Sequence, residues 1–520
     1  MTEQSLIYSE VSFKDFLFKN RRNRTILWFA AAAIVIQFLA FKYFYPYASY
    51  IHDDSFAYIK AADKNLDVNS YLIGYSKFLR LFSVFNRTDY MLTAFQYLFI
   101  ELSALYFLYT LIYFYKPRRI VQVILLCFIA FNPLFLHLSN LISSDGIFLS
   151  LSFTWFALLL HIIHRPTTKL IIWHAVVIFI AFTVRYNAII YPVISALAFW
   201  FSNMSIKRKL AGLGFAAILI GSFTLFTMYK YEKLTGDWQY SPFSGWQLTN
   251  NAMYTYRYVN AADRKPVPKI FQEFNNMICE YFDSTRDVKK FPLEAIQAST
   301  YYMWSKEMPM IKYRDKVFKN DPAANNLKKW ASMGPYFKVY GLYIIKQYPW
   351  HFIRYFLWPN AQKYYAPPLE FLEYYNDDKT GVTEDARKWF GYSSRLVNSR
   401  FESKKLWTLS FYPILSGAIN VVMICCLLCY FLLKGWQYHG EFRYAVWMGG
   451  SIWLLNAGFT IGASSAALRF QAFPIIITSA FTALLLDWLV QVMSLIKSQE
   501  TTQGLETRNT VETKHPIIMQ

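Results

Sequence analysis

The feature that most constrains this chain is a set of long apolar runs broken by short charged segments. About 20 residues cross the hydrocarbon core of a bilayer as a helix, and only helices or closed barrels satisfy the backbone there. About ten such spans are predicted, near 26–45, 91–115, 119–137, 146–163, 169–183, 188–203, 210–229, 407–433, 443–462 and 472–494. The fifth and sixth are short, which leaves room for partly broken helices. Composition agrees: of 520 residues, 55% are apolar, 20% aromatic and only 17% charged, unlike a soluble domain of this size.

The net charge of +20 suits nucleic acid or membrane surfaces. The membrane explains it better, because Lys and Arg gather in cytoplasmic loops and near anionic headgroups. The basic segments "RRNR" (21–24), "KPRR" (116–119), "HRPTTK" (164–169), "KRK" (207–209) and "KGWQYHGEFR" (434–443) all fall on one side of the scheme. The short loops on the other side, "LSNLISSDG", "TVRYN" and "ASSAALRFQ", are nearly free of cations. The positive-inside rule then puts both termini in the cytoplasm. No cleavable signal peptide is evident, since the first residues are polar and basic and the first apolar run is long enough to span.

This scheme divides the chain into a membrane module at 1–229, an extracytoplasmic domain at 230–406, membrane helices at 407–495 and a disordered cytoplasmic tail at 496–520. The inserted domain is rich in Tyr, Trp, Lys and Asn, and is predicted to be folded, α or mixed. Its stretch 340–359 holds Lys346, Pro349, His351 and Arg354 among apolar residues, so an interfacial helix is predicted rather than a span. Four of five cysteines (Cys127, Cys425, Cys426 and Cys429) lie in apolar runs; they read as buried thiols.

The outer face carries the chemistry. In "YIHDDSFAYIKAADKN" (50–65) two adjacent acids, Asp53 and Asp54, follow the first span, within a first outer loop at 46–90. On a helix, neighbours point about 100° apart, so one faces a cleft and the other packs or caps. A carboxylate there can act as general base; the plainer role is a helix cap. Asp145 opens the fourth span, where an acid also suits a helix N-terminus. Arg185, Tyr186 and Arg469 sit in thin outer turns, against the usual charge bias. Lys77 and Arg80 are cations of the first loop, and phosphate binding is one use for them. His52 reads as packing and "NDD" (376–378) as a turn. No phosphate-cradling glycine loop, zinc motif or nucleophile elbow is present.

The acidic pair after the first span, "SSDGIF", "VRYNAIIYP", "LRFQAFP" and, more weakly, "FSGWQLTNNAMYTY" (243–256) together resemble the polytopic glycosyltransferases of the GT-C fold. The likeness is to the branch of protein O-mannosyltransferases and lipid A aminoarabinose transferases (glycosyltransferase family 39). The resemblance implies a sugar donor on polyprenyl phosphate and an acceptor hydroxyl on a protein, lipid or glycan. It implies inversion at the sugar, and a site on the outer side of a bacterial inner membrane. Asp53, with Asp54 beside it, would be the base. Asp145 would orient substrate or a basic partner, and Arg185, Arg469 and Lys77 or Arg80 would hold phosphate. No cofactor is required, although some relatives use a divalent ion. The His-Pro-Pro-like turn common in that group is replaced here by "YLIGYSKFLRLFS". A transporter or lipid flippase, or a non-catalytic partner in envelope assembly, is the rival reading. The apolar middles of the spans count against transport.

Overall fold

The computed structural model describes residues 11–401, 403–437 and 440–512, with side chains through 495. Among the described residues the fold is all helical, with three isolated β-bridges and no strand. Seven helices are long and apolar enough to cross a membrane: Arg21–Phe44, Asp89–Tyr115, Arg119–Asn140, Ser144–His164, Ile206–Thr235, Trp407–Leu432 and Leu468–Leu495. The predicted fifth and sixth spans are the shorter helices Thr168–Val184 and Tyr186–Phe201, the latter opening as a 3₁₀ turn. The ninth is Gly440–Ala463, which is long but less apolar.

The outer helices of this bundle show bare apolar side chains: Trp28 and Phe29 are each 73% exposed. Such a surface suits lipid, not water. Ser144–His164, by contrast, is buried along almost its whole length. It is the axis on which Asp89–Tyr115, Thr168–Val184, Tyr191–Phe201 and the last helix pack, so whatever stands at its first turn is held by the entire bundle.

The segment 230–406 divides in two. Residues 242–357 build a second apolar core around Trp246, Phe274, Tyr302 and Phe337. Its spine is the pair Pro242–Tyr256 and Asn326–Gln347. These helices cross so closely at Gly245 that a Cβ there would collide with the Gly334 carbonyl, which accounts for the glycine of "FSGW". Residues after Tyr365 instead join the membrane core through Leu372, Tyr375, Val382 and Phe390.

Two elements differ from expectation. The stretch 340–359 is not one interfacial helix. Asn326–Gln347 buries Tyr340 and Ile344 in the second core, breaks at Tyr348, and restarts at Pro349, whose missing N–H suits a first turn. The far part exposes its large rings, Trp350 at 78% and Trp358 at 63%. The tail predicted to be disordered continues the last helix as far as Glu512; residues 513–520 lie outside the described residues.

Candidate functional site

The first outer loop is drawn onto the fourth helix by a short parallel bridge. The Ser49 N–H donates to the Asn140 carbonyl at 2.8 Å, and the Ile142 N–H to the Ser49 carbonyl at 3.0 Å. Asn376, fully buried, clamps the same strand: its Oδ1 accepts from the Tyr50 N–H at 3.2 Å and its own N–H donates to Ser49 Oγ at 2.9 Å. Residues 376–378 form a run of three left-handed residues, so "NDD" is a turn that holds the loop.

Beyond this clamp the chain turns at Asp53, whose φ of 73° and ψ of −55° are those of a strained γ-turn. That single residue aims the two acids apart. Asp53 is exposed and makes no capping bond. Asp54 opens the helix Asp54–Asp63 and faces inward. Tyr71 Oη donates to Asp54 Oδ1 at 2.5 Å. Burial and the adjacent Asp54 carboxylate hold the Tyr71 hydroxyl well above its ordinary range, so it stays a donor.

Arg469 joins the two acids. Its Nη2 lies 3.3 Å from Asp54 Oδ2 and its Nη1 lies 3.4 Å from Asp145 Oδ2. Arg185 Nη1 pairs with the other Asp145 oxygen. Asp145 is capped in place: Ser143 Oγ donates to it at 2.7 Å, and the first-turn N–H groups of Ser144–His164 favour its charge. Two like-charged guanidiniums are thus brought together, and the Phe470 ring lies between them, 4.7 Å from Arg185 and 4.3 Å from Arg469. Phe371, itself at a left-handed φ of 63°, covers the other side of Arg469 at 4.9 Å. The Leu468 N–H donates to the Pro368 carbonyl at 2.8 Å and ties these segments together.

The structure therefore joins Asp54, Asp145, Arg185 and Arg469. It leaves Asp53 outside, so the choice of Asp53 as base is the one the geometry disfavours. Lys77 and Arg80 do not reach the cluster either. Lys77 bonds Asn65 Oδ1 at 2.9 Å and pairs with Asp67, while Arg80 donates to the Ala62 and Asp63 carbonyls. Both close the C-terminal end of the Asp54–Asp63 helix, where cations belong. Tyr186 stands at the rim, its ring stacked 6.1 Å from Phe243 of the second core. His52 packs edge-on against Phe56 at 5.1 Å.

One acid escaped the sequence reading. Glu370 sits among Asp54, Arg469 and Lys363; burial raises its carboxyl above the usual carboxylate range, and Arg469 and Lys363 oppose that. Lys363 is spent on the Gln297 and Ala298 carbonyls, at 2.6 and 3.0 Å. The signal available in the sequence was an acid shortly after "APP" and six positions before the acidic turn at 376–378, which is weak. The space beside Asp145, Arg185 and Arg469 is about 20 Å³, room for a water molecule. Among the described residues no three His, Cys, Asp or Glu side chains are grouped to hold a metal, and the facing oxygens of Asp54 and Asp145 are taken by arginine.

A family model described as "Predicted membrane protein (DUF2142)" matches residues 98–273. The match takes in Asp145 and Arg185 and stops short of Asp54 and Arg469. No curated protein and no solved structure matches the chain. The apolar helices and this likeness make it a multi-pass membrane protein.

Proposed function

We propose that this protein is a membrane-embedded, inverting glycosyltransferase. It would move a sugar from a polyprenyl-phosphate-linked donor to an acceptor hydroxyl on the extracytoplasmic side, in a bacterial inner membrane with both termini in the cytoplasm. The observation that carries this reading is the Asp54–Arg469–Asp145–Arg185 chain: a half-open carboxylate beside two guanidiniums at the ends of the spans.

Asp54 is the base. Both carboxylates have both oxygens engaged, but the Asp54 side chain is 20% exposed against 1% for Asp145, so Asp54 is the one an acceptor reaches. Asp54 takes the acceptor's proton as the hydroxyl oxygen attacks the anomeric carbon. The bond from that carbon to the phosphate oxygen breaks on the opposite face, which inverts the centre. The electron pair leaves on the phosphate. Each guanidinium has five N–H donors, and Arg185 spends only Nη1 here while the Arg469 Nε is buried without a partner. These free donors suit the phosphate charge that develops. A sugar phosphate exceeds the present cavity, so the cluster opens to bind it. Asp145 holds both arginines and does no proton transfer.

The test is transfer from a polyprenyl-phosphate sugar in membranes carrying the protein. Asp54→Asn abolishes it and Asp53→Asn keeps it; transfer by the Asp54→Asn, Asp53→Asn double variant sinks the reading. One observation favours the transporter alternative: Glu101 is buried near the middle of Asp89–Tyr115, with the Tyr97 hydroxyl beside its carboxyl, and an acid inside a span marks a proton or ion path. Substrate movement lost in Glu101→Gln, with Asp54→Asn unaffected, would select that alternative.

A further inference from the structure

A wide groove lies at the opposite end of the bundle from the acidic cluster. The helix Gly440–Ala463 measures about 36 Å at 1.5 Å per residue, one membrane thickness. Its last residues lead to Arg469. Its first turns, with the ends of Tyr191–Phe201 and Tyr412–Leu432, enclose a groove of about 670 Å³. Trp200, Phe431, Trp436, Tyr444 and Trp447 line it, with Arg443 among them.

The geometry points to this groove as a binding site for one anionic phospholipid, its acyl chain against the aromatic wall and its phosphate at Arg443. Three features select that ligand. The volume and the aromatic rings of the lining suit an acyl chain, and Ser202, Asn203 and Arg443 among those rings suit a polar headgroup. Arg443 is exposed, stacks 4.8 Å over the Tyr444 ring and donates to Tyr444 Oη at 2.9 Å. Among the described residues no carboxylate pairs with it. Two further cations stand at the rim: Lys209, whose ammonium donates to the Trp200 carbonyl at 2.9 Å, and Lys434, in a left-handed turn between Phe431 and Trp436. A basic pocket between helices with an aromatic wall is the recognised geometry for an anionic headgroup. An aromatic belt alone would give exposed rings on a convex surface, as Trp28 and Phe29 are on the first helix.

The test uses the full-length protein in phosphatidylcholine vesicles doped with phosphatidylglycerol bearing a diazirine in its acyl chain. After illumination, peptides covering 200–203 and 430–447 carry the label, and unlabelled phosphatidylglycerol competes while phosphatidylcholine does not. Arg443→Glu lowers the labelling roughly thirtyfold, the effect of about two cation-equivalents at the surface; Trp436→Ala lowers it with the headgroup preference intact. Equal labelling of the peptide holding Trp28 and Phe29, or equal competition by phosphatidylcholine, overturns the site. Stronger competition by a polyprenyl phosphate overturns the phospholipid assignment. Asp54→Asn leaves the labelling unchanged, so the groove stands or falls apart from the transfer reaction.

Discussion

Among the described residues stand two buried arginine–carboxylate networks, and they are finished differently. In the second core Arg257 Nη1 lies 2.7 Å from Glu294 Oε2, with both side chains at most 5% exposed. Tyr302 donates to the same carboxylate at 2.8 Å, Tyr281 takes the other oxygen, and Arg257 Nη2 donates to the Thr285 carbonyl at 2.9 Å. Both terminal nitrogens of Arg257 and both tyrosine hydroxyls have an acceptor. The cluster at Arg469 has two acids and two arginines from four distant segments, a buried Nε with no partner, and an Asp54 open on one side. A closed network of this kind fixes a core. An open one, held by the rest of the bundle, has capacity left for a substrate.

Four outcomes would break or sharpen that contrast. The largest concerns chemistry: Asp54→Asn lowers transfer by about 10²–10⁴-fold, the usual contribution of a positioned base, while Asp53→Asn changes it little. Radiolabelled sugar transfer in membranes measures both. Next comes stability. Glu294→Ala strands Arg257 in a closed core and costs about 3–5 kcal/mol, read by thermal unfolding in detergent. Asp54→Ala costs less than this although it abolishes transfer; the reverse order would make the outer cluster the structural one. A smaller effect is pH dependent. Burial raises the Glu370 carboxyl, so the folded wild type is favoured at low pH and loses that advantage as pH rises from about 4.3, the unfolded value, through the folded one. Glu370→Gln lacks the loss, so its melting temperature relative to wild type climbs across that window and is level below it. The smallest is Lys77→Ala. Its partner Asp67 is 43% exposed, and such pairs are worth about 0–1 kcal/mol; a tenfold fall in transfer would return Lys77 to the phosphate site.

Much of the bundle was legible because lipid imposes one rule on every span. The same rule made Asp145, Arg185 and Arg469 conspicuous, since charges at thin outer turns cost free energy unless they are paired or used. What could not be read depended on single residues or distant segments. The choice between Asp53 and Asp54 rests on one γ-turn, and helix periodicity alone assigns neither acid a direction. Lys77 and Arg80 looked available because a cation's backbone partners leave no trace in composition. Glu370 and Phe371 reach Arg469 from a segment that seemed part of the inserted domain, until its apolar residues proved to belong to the membrane core. The break at Pro349 was written in the sequence, but an apolar, aromatic stretch reads as continuous until packing shows which half is covered.

The order in which the cluster's residues are made has a consequence for biogenesis. Asp145 and Arg185 are 40 positions apart, on helices that pack against each other, so their charges can neutralise one another as the helices enter the bilayer. Asp54 waits for Arg469, 415 positions later. At about 5–20 residues per second, that is roughly 20 to 80 s of synthesis during which Asp54 has Tyr71 but not its ion-pair partner Arg469. A newly made chain released early by truncation would therefore carry a paired Asp145 and an unpaired Asp54, and it is the last helix, not the first loop, that completes the site.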